Sequence, residues 1–241
     1  MTFALLGYGR MGREIERVAR DRGHVVASRV TVDDELDPAV LRRCDVAIDF
    51  SSPAAAAGLC RSALAAGVPV VSGTTGWDVG ALRAELSGTD HPAFLHATNM
   101  SPGVNAVFAA NRLLARALGI AGGYRARLTE THHVHKLDAP SGTAITLAEG
   151  TIDGLPQVDI WELAGGPDEP PASAGSLPVT SVRRGEVIGD HEVTYASEVD
   201  EITLRHHARS RRGFALGAVL AAEFVAGKRG AWTMADALGL A

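Results

Sequence analysis

The sequence predicts an α/β protein: an N-terminal doubly wound parallel sheet of the Rossmann type, followed by a smaller α+β domain with a mixed sheet. Three observations predict it. Short, nearly continuous apolar runs alternate with helix-like stretches through the first hundred residues, as expected of parallel strands covered on both faces. Gly7, Gly9 and Gly12 form GxGxxG directly after the first run and at the start of a helix. After Pro102 the alternation gives way to consecutive strand-like runs with no helix between them, which calls for an antiparallel or mixed sheet.

Taken in order, Thr2–Leu6 reads as a strand, and a helix then runs to Arg22, ended by Gly23 in the position where glycine stops helices. Val25–Val32 and Val46–Phe50 read as the second and third strands. Pro53, suited to a first helical position, opens an Ala-rich helix. Val68–Val71, a helix over Asp78–Leu86, and Ala93–Ala97 complete the alternation. A long helix, Gly103 to Leu118, leads through Gly122-Gly123 into a strand over Tyr124–Glu130. A polar block from His132 to Thr143 opens a further helix to Glu149. Residues 150–177, rich in Gly, Pro, Ala and Ser, are expected to form a long connection. Strands over Val179–Val182, Glu192–Tyr195 and Glu201–Arg205 follow, then helices over Phe214–Ala226 and Met234–Leu238. The boundaries expected are 1–102, 103–212 and a returning C-terminal segment, 213–241.

Composition narrows the function classes. With 241 residues, 46% hydrophobic but only 5% aromatic, the core must be built from Ala, Val, Leu and Ile. A net charge of −5 argues against a nucleic-acid partner. No apolar run approaches the roughly 18 residues of a membrane span. Cys44 and Cys60 lack any CxxC or Cys/His spacing and are expected as buried thiols in a reducing compartment. MTFALLGYGR has no signal-peptide pattern, so a cytoplasmic protein is expected.

The glycine turn is the candidate nucleotide site. Gly7 permits the tight turn, Gly9 lets the backbone approach a pyrophosphate, and Gly12 allows close helix–strand packing. Tyr8, Arg10 and Met11 share the loop, and the helix start offers N–H groups and a positive dipole end. Gly73, Thr74 and Thr75, and likewise Ala97, Thr98, Asn99 and Met100, fall at the carboxyl ends of the fourth and fifth strands, where open α/β sheets bind ligands. Asp33 and Asp34 are the acids nearest the end of the second strand, where a ribose-binding carboxylate is usual. They read equally well as solvated loop residues, and Arg29 could instead face a 2′-phosphate. Preference between NADH and NADPH stays open.

Glu130 to Thr143 is the densest polar stretch, with three imidazoles, an ammonium and a carboxylate around His132, His133, His135, Lys136 and Asp138. Ser141, Gly142 and Thr143 open a helix whose N-terminus suits a carboxylate, and His132 and Lys136 suit proton transfer. Alternation along a strand points His132 away from His133 and His135, poor geometry for a metal, and none is expected. The second pair, His206-His207, among Arg205, Arg209, Arg211 and Arg212, reads as mostly exposed charge.

GYGRMG, DVAIDFSSP, GTTG, ATNMSPGVN, ETHHVHKLDAPSGTA and SVRRGEVIGDHEV occur in this order over nearly the whole chain. In this the sequence resembles the 4-hydroxy-tetrahydrodipicolinate reductase family of lysine and diaminopimelate biosynthesis. The resemblance implies that residues 1–102 bind NADH or NADPH. It implies that 103–212 bind the dicarboxylate substrate and form a homotetramer, while 213–241 return to the nucleotide domain. It implies that His132 is the proton donor and acceptor, that Lys136 donates a proton, and that His133, Gly142 and Thr143 bind the substrate carboxylate. It assigns the three glycine- and threonine-bearing turns to the cofactor. The chain departs from the family at Thr31, where an acid is usual, at Arg184, where a small residue is usual, and in a short 150–177 region. The alternatives are a non-catalytic NAD(H)-sensing regulator and a dehydrogenase of another amino or imino acid.

Overall fold

The computed structural model describes residues 1–34, 36–166 and 173–240. They form two compact units, Met1–Pro102 with Arg211–Ala241, and Gly103–Ser210.

In the first unit, β1 (Thr2–Leu6), β2 (Val25–Val30), β3 (Val46–Asp49), β4 (Val70–Ser72) and β5 (Phe94–His96) are joined by α1 (Arg10–Asp21), α2 (Pro38–Leu41), α3 (Pro53–Ala65) and α4 (Val79–Leu86). The sheet is parallel throughout, in the order β11-β5-β4-β3-β1-β2. The sixth strand, β11 (Ala231–Trp232), comes from the C-terminal segment and extends β5. Two residues are too short for a periodic pattern, so only the pairing reveals it. Both faces are apolar, as the uninterrupted strands require: Phe3, Leu5 and Ile48 face one core, and Ala4, Leu6 and Val70 the other. The first core is closed by α7 (Arg212–Val225), whose buried face of Ala215, Ala218, Ala221 and Ala222 lets the helix sit close to α1 and the sheet. The short α8 (Met234–Leu238) starts with a capping box between Thr233 and Asp236. Cys44 and Cys60 are both buried, and burial pushes both thiols up.

The second unit begins with α5 (Pro102–Ala121) and continues through β6 (Arg125–His132), α6 (Gly142–Ile152), β7 (Ile160–Ala164), β8 (Ser176–Arg183), β9 (Asp190–Ala196) and β10 (Glu201–His207). The sheet is mixed, ordered β10-β9-β6-β8-β7; β6, β8 and β7 run parallel, and β9 is antiparallel to β6 and β10. Its core gathers Leu128, Val179 and Val193 beneath Phe108 and Leu147. Tyr195, wholly buried, donates to Asn111 Oδ1 at 2.7 Å, and Asn111 Nδ2 donates to the Leu147 carbonyl at 2.9 Å. These buried bonds fix α5 and α6 to the sheet, because an unpaired partner there would cost about 1–3 kcal/mol.

The expected long connection over 150–177 is corrected. There α6 runs on to Ile152, β7 occupies Ile160–Ala164, and β8 begins at Ser176; residues 167–172 lie outside the described residues. Among the described residues β7 pairs with β8 alone, from Ile160 opposite Ser176 to Ala164 opposite Thr180; Trp161 packs on the core, and Ile160 and Leu163 stay exposed. A strand made by a distant partner on one side carries no alternating signature. Two other boundaries matter for chemistry: β2 stops at Val30, and β6 reaches His132 rather than Glu130.

Candidate active site

Two polar clusters stand out, one in each unit. In the first, the chain leaves β1, β2 and β3 at the carboxyl edge of the sheet, where strand order reverses about β1, and encloses a cleft of about 590 Å³. Gly7, Gly9, Thr31, Asp34, Phe50 and Ser51 are among its walls. Each glycine of the motif has its own reason. Gly7 has φ +93°, and a Cβ there would lie 2.3 Å from the Phe50 carbonyl oxygen; a Cβ on Gly12 would lie 2.4 Å from the Gly7 carbonyl oxygen. A Cβ on Gly9 would meet nothing within 4 Å, so this glycine leaves open space at the helix start instead of serving packing. Gly9 caps α1 without a side-chain hydrogen bond, and the first turn carries no acid, so no carboxylate of this helix offsets the positive end that starts beside the cleft. These features fit the pyrophosphate of a dinucleotide.

At the far end of the cleft, Asp34 Oδ2 accepts from the Thr31 amide at 2.7 Å and the Thr31 hydroxyl at 2.6 Å. These bonds hold the Asp34 carboxyl below its ordinary value, hydroxyl first and amide second. Arg29 is turned to Glu16 of α1 instead of the cleft. Behind the rim, wholly buried Asp49 accepts from the hydroxyls of Ser51 and Ser72, both at 2.6 Å. The Ser51 amide also donates to Thr74 Oγ1 at 3.0 Å, tying the β3 turn to the Gly73–Thr75 turn. His96 Nε2 lies 3.0 Å from the Thr74 carbonyl. Asn99 and Met100 are buried at the end of β5, where Asn99 Oδ1 accepts from the Ser101 amide at 2.8 Å; Ala97 is half-buried and Thr98 exposed. Tyr8 and Met11 are half-buried, and Arg10 and Thr75 are exposed.

In the second unit, the end of β6 and the start of α6 come together. Glu130 is wholly buried, and its carboxylate accepts the Ser141 amide at 3.1 and 3.2 Å, the Ser181 hydroxyl at 2.9 Å, and Arg183 at 3.3 Å. His132, two residues along the same strand face, puts Nδ1 3.3 Å from Glu130 Oε2. Burial alone would raise the Glu130 carboxyl; the neighbouring His132 and the donors Ser141 and Ser181 more than offset it, holding it well below the usual range. Ser141 caps α6 through its hydroxyl, which accepts the Ala144 amide at 3.2 Å. Its amide is already given to Glu130, so Ser141 braces the helix start from inside, while Gly142 and Thr143 form the first turn. Lys136 is half-buried and ion-paired to Asp138 at 2.7 Å. His133 is half-buried, its ring centroid 6.0 Å from that of exposed His135.

Sequence reading missed His191 as a site residue. Buried on β9, it presents its ring edge-on to His132 with centroids 5.1 Å apart, and its Nε2 lies 3.3 Å from Ser141 Oγ. Burial first, and then the neighbouring His132, push His191 down to about 3, so it is neutral. Its only sequence signal is its place in GDHEV, and its partner in space is 59 positions away. The second histidine pair divides: His206 is half-buried, while His207 is exposed and paired with Asp190. Among the described residues, Glu130, His132 and His191 are the trio whose ligand atoms fall within 4.8 Å of one another. The carboxylate already serves Ser141, Ser181 and the cationic Arg183, which makes the trio a hydrogen-bond hub in character.

Residues 1–100 match the family described as Dihydrodipicolinate reductase, N-terminus, and residues 103–238 match Dihydrodipicolinate reductase, C-terminus. The chain belongs to the dihydrodipicolinate reductase family. It is 43% identical to the 4-hydroxy-tetrahydrodipicolinate reductase of Christiangramia forsetii, covering 99% of this chain and 98% of the relative. It is 41% identical to that of Akkermansia muciniphila, covering 96% and 95%. The fold resembles that of the dipicolinate-bound dihydrodipicolinate reductase from Paenisporosarcina sp. TG-14, with a TM-score of 0.77 at 22% identity and 98% coverage of both chains. It also resembles, at TM-score 0.60 and 13% identity, the Mycobacterium smegmatis amine dehydrogenase, covering 97% and 95%. The architecture is therefore shared by proteins of different names. No helix among the described residues is long and apolar enough to cross a membrane.

Proposed function

We propose that the chain reduces 4-hydroxy-tetrahydrodipicolinate, in its dehydrated form, to tetrahydrodipicolinate at the expense of NADH or NADPH, within lysine and diaminopimelate biosynthesis. The family membership supports the activity. The observation that carries it is the convergence of His132 and the α6 N-terminus on the single buried carboxylate of Glu130. This joins a proton-handling imidazole to a carboxylate-binding helix start.

The nicotinamide, when bound, supplies the hydride. The chain's own residues do the rest. The α1 N-terminus and the bare backbone at Gly9 bind the pyrophosphate, and Thr31 with Asp34 faces the adenosine end. In the second unit, Gly142 and Thr143 at the start of α6, with His133, take a substrate carboxylate. Hydride addition to a conjugated imine leaves an electron-rich carbon or nitrogen that must gain a proton, which Lys136 or His132 delivers.

The finer assignments belong to the same reading. A homotetramer built on the second unit's sheet accounts for the exposed Ile160 and Leu163 on its unpaired edge, β7. A cytoplasmic location suits an amino-acid biosynthetic enzyme. The test is nicotinamide absorbance at steady state, with substrate generated in place from pyruvate and aspartate semialdehyde by the preceding synthase. Substrate-dependent oxidation is expected. Tight cofactor binding without turnover would overturn the reading in favour of a sensor or of a reductase of another imine.

A further inference from the structure

One row of residues crosses four strands of the second sheet. Ser181 on β8 stands opposite Glu130 on β6, Glu130 opposite His191 on β9, and His191 opposite His206 on β10. Cross-strand neighbours share a face, so this row presents only polar side chains where the rest of the sheet presents a core. His132, two positions beyond Glu130, joins the same face and is buried.

The imidazole of His132 is bounded on three sides. Its Nδ1 lies 3.3 Å from Glu130 Oε2, and among the described residues this buried nitrogen meets no other hydrogen-bond partner. The His191 ring packs edge-on against it and braces Ser141. On the remaining edge sits Gly189, buried and lacking a side chain; a Cβ there would lie 3.1 Å from His132 Nε2 and 3.6 Å from the His191 ring. Gly189 does not have a positive φ, so strained backbone is not the reason for glycine. What glycine provides is clearance at Nε2.

We infer that Glu130 and Gly189 are positioning residues for His132: Glu130 takes the proton on Nδ1, which leaves Nε2 as the nitrogen that exchanges protons with substrate, and Gly189 keeps Nε2 uncovered. The inference rests on the proposed reductase reading for the role of His132. The geometric half stands apart from it. A hydrogen bond at one ring nitrogen fixes the tautomer and thereby the function of the other. The same carboxylate holds the Ser141 amide, so proton transfer and the substrate-binding helix start share one anchor.

The experiment combines 15N-histidine NMR with kinetics on the full chain, comparing wild type with Glu130→Gln and Gly189→Ala, and with His132→Gln to assign the signal. In wild type the His132 signal is expected to report a proton on Nδ1 and a bare Nε2. Glu130→Gln is expected to lose that signature and to lower kcat at least tenfold, with NADH affinity by fluorescence unchanged because that site lies in the other unit. Gly189→Ala is expected to keep the Nδ1 signature and the fold by circular dichroism, yet lower kcat. An Nε2-protonated His132 in wild type, or an unchanged signature in Glu130→Gln, overturns the role of Glu130. Full turnover in Gly189→Ala overturns the role of Gly189. If wild type itself fails to turn over this substrate, the proposed function fails, while the NMR comparison still decides the geometry.

Discussion

Arg29 on β2 grips Glu16 on α1 with two parallel bonds, Nε to Oε2 at 2.9 Å and Nη2 to Oε1 at 2.5 Å, while the Tyr8 hydroxyl and Arg20 engage the same carboxylate. The Arg29 guanidinium also lies 5.7 Å from the centre of the Tyr8 ring, within cation–π range. The cation that the sequence offered to a 2′-phosphate is thus committed to an ion pair within its own chain, and the glycine-loop tyrosine is fixed by the same carboxylate.

A pH dependence of stability follows. Arg29 first, then Tyr8 and Arg20, outweigh burial and lower the Glu16 carboxyl to about 2 from 4.5. Because the folded value lies below the unfolded one, the contribution is complete above about pH 4.5 and is lost as pH falls toward about 2. Glu16→Gln should lower stability at pH 7 by about 1–2 kcal/mol and flatten the acid limb of the urea midpoint over that window. An acid limb identical to wild type would show that the group contributes nothing there.

Asp34 should decide cofactor preference. Its carboxylate lines the cleft beyond Thr31, where a ribose hydroxyl would be welcomed and a 2′-phosphate repelled. NADH is expected to be the better cofactor, and Asp34→Ser should raise the NADPH to NADH ratio of kcat/KM about tenfold, equivalent to about 1.4 kcal/mol. Parallel initial-rate measurements check it, and a ratio that does not move removes Asp34 from the discrimination.

Two of the loop glycines should separate fold from function. Gly7→Ala meets backbone at 2.3 Å with φ +93° and should cost several kcal/mol or fail to fold. Gly9→Ala meets nothing and should change stability by no more than about 0.5 kcal/mol, yet raise the KM for NADH about tenfold by filling the space proposed for the pyrophosphate. Thermal melts beside cofactor titrations distinguish the two.

Lys136→Ala and His132→Gln should each lower kcat by about 10²- to 10⁴-fold while leaving NADH affinity intact. Asp138→Asn, which releases the Lys136 ammonium from its 2.7 Å ion pair, should change kcat far less than Lys136→Ala. Near-wild-type turnover in either of the first two variants would remove that residue from proton transfer.

The parts determined by sequence alone are those carried by local chemistry. GxGxxG after an apolar run specifies a turn, a helix start and an open backbone within six residues, and the parallel sheet is legible because both of its faces must be apolar. His132, Lys136 and Ser141–Thr143 are legible as candidates because they lie within one short polar stretch. What only the tertiary structure decided are the relations set by pairing across long separations. β7 and β11 exist because β8 and β5 supply hydrogen bonds, a requirement absent from their own residues. Arg29 looked available because Glu16 is its neighbour only once α1 lies on β2. His191 and Gly189 reach His132 because β9 runs antiparallel beside β6, bringing residues 57 or more positions away against one imidazole. Burial then keeps the His191 ring neutral, since the cost of charge depends on the water excluded by the folded chain.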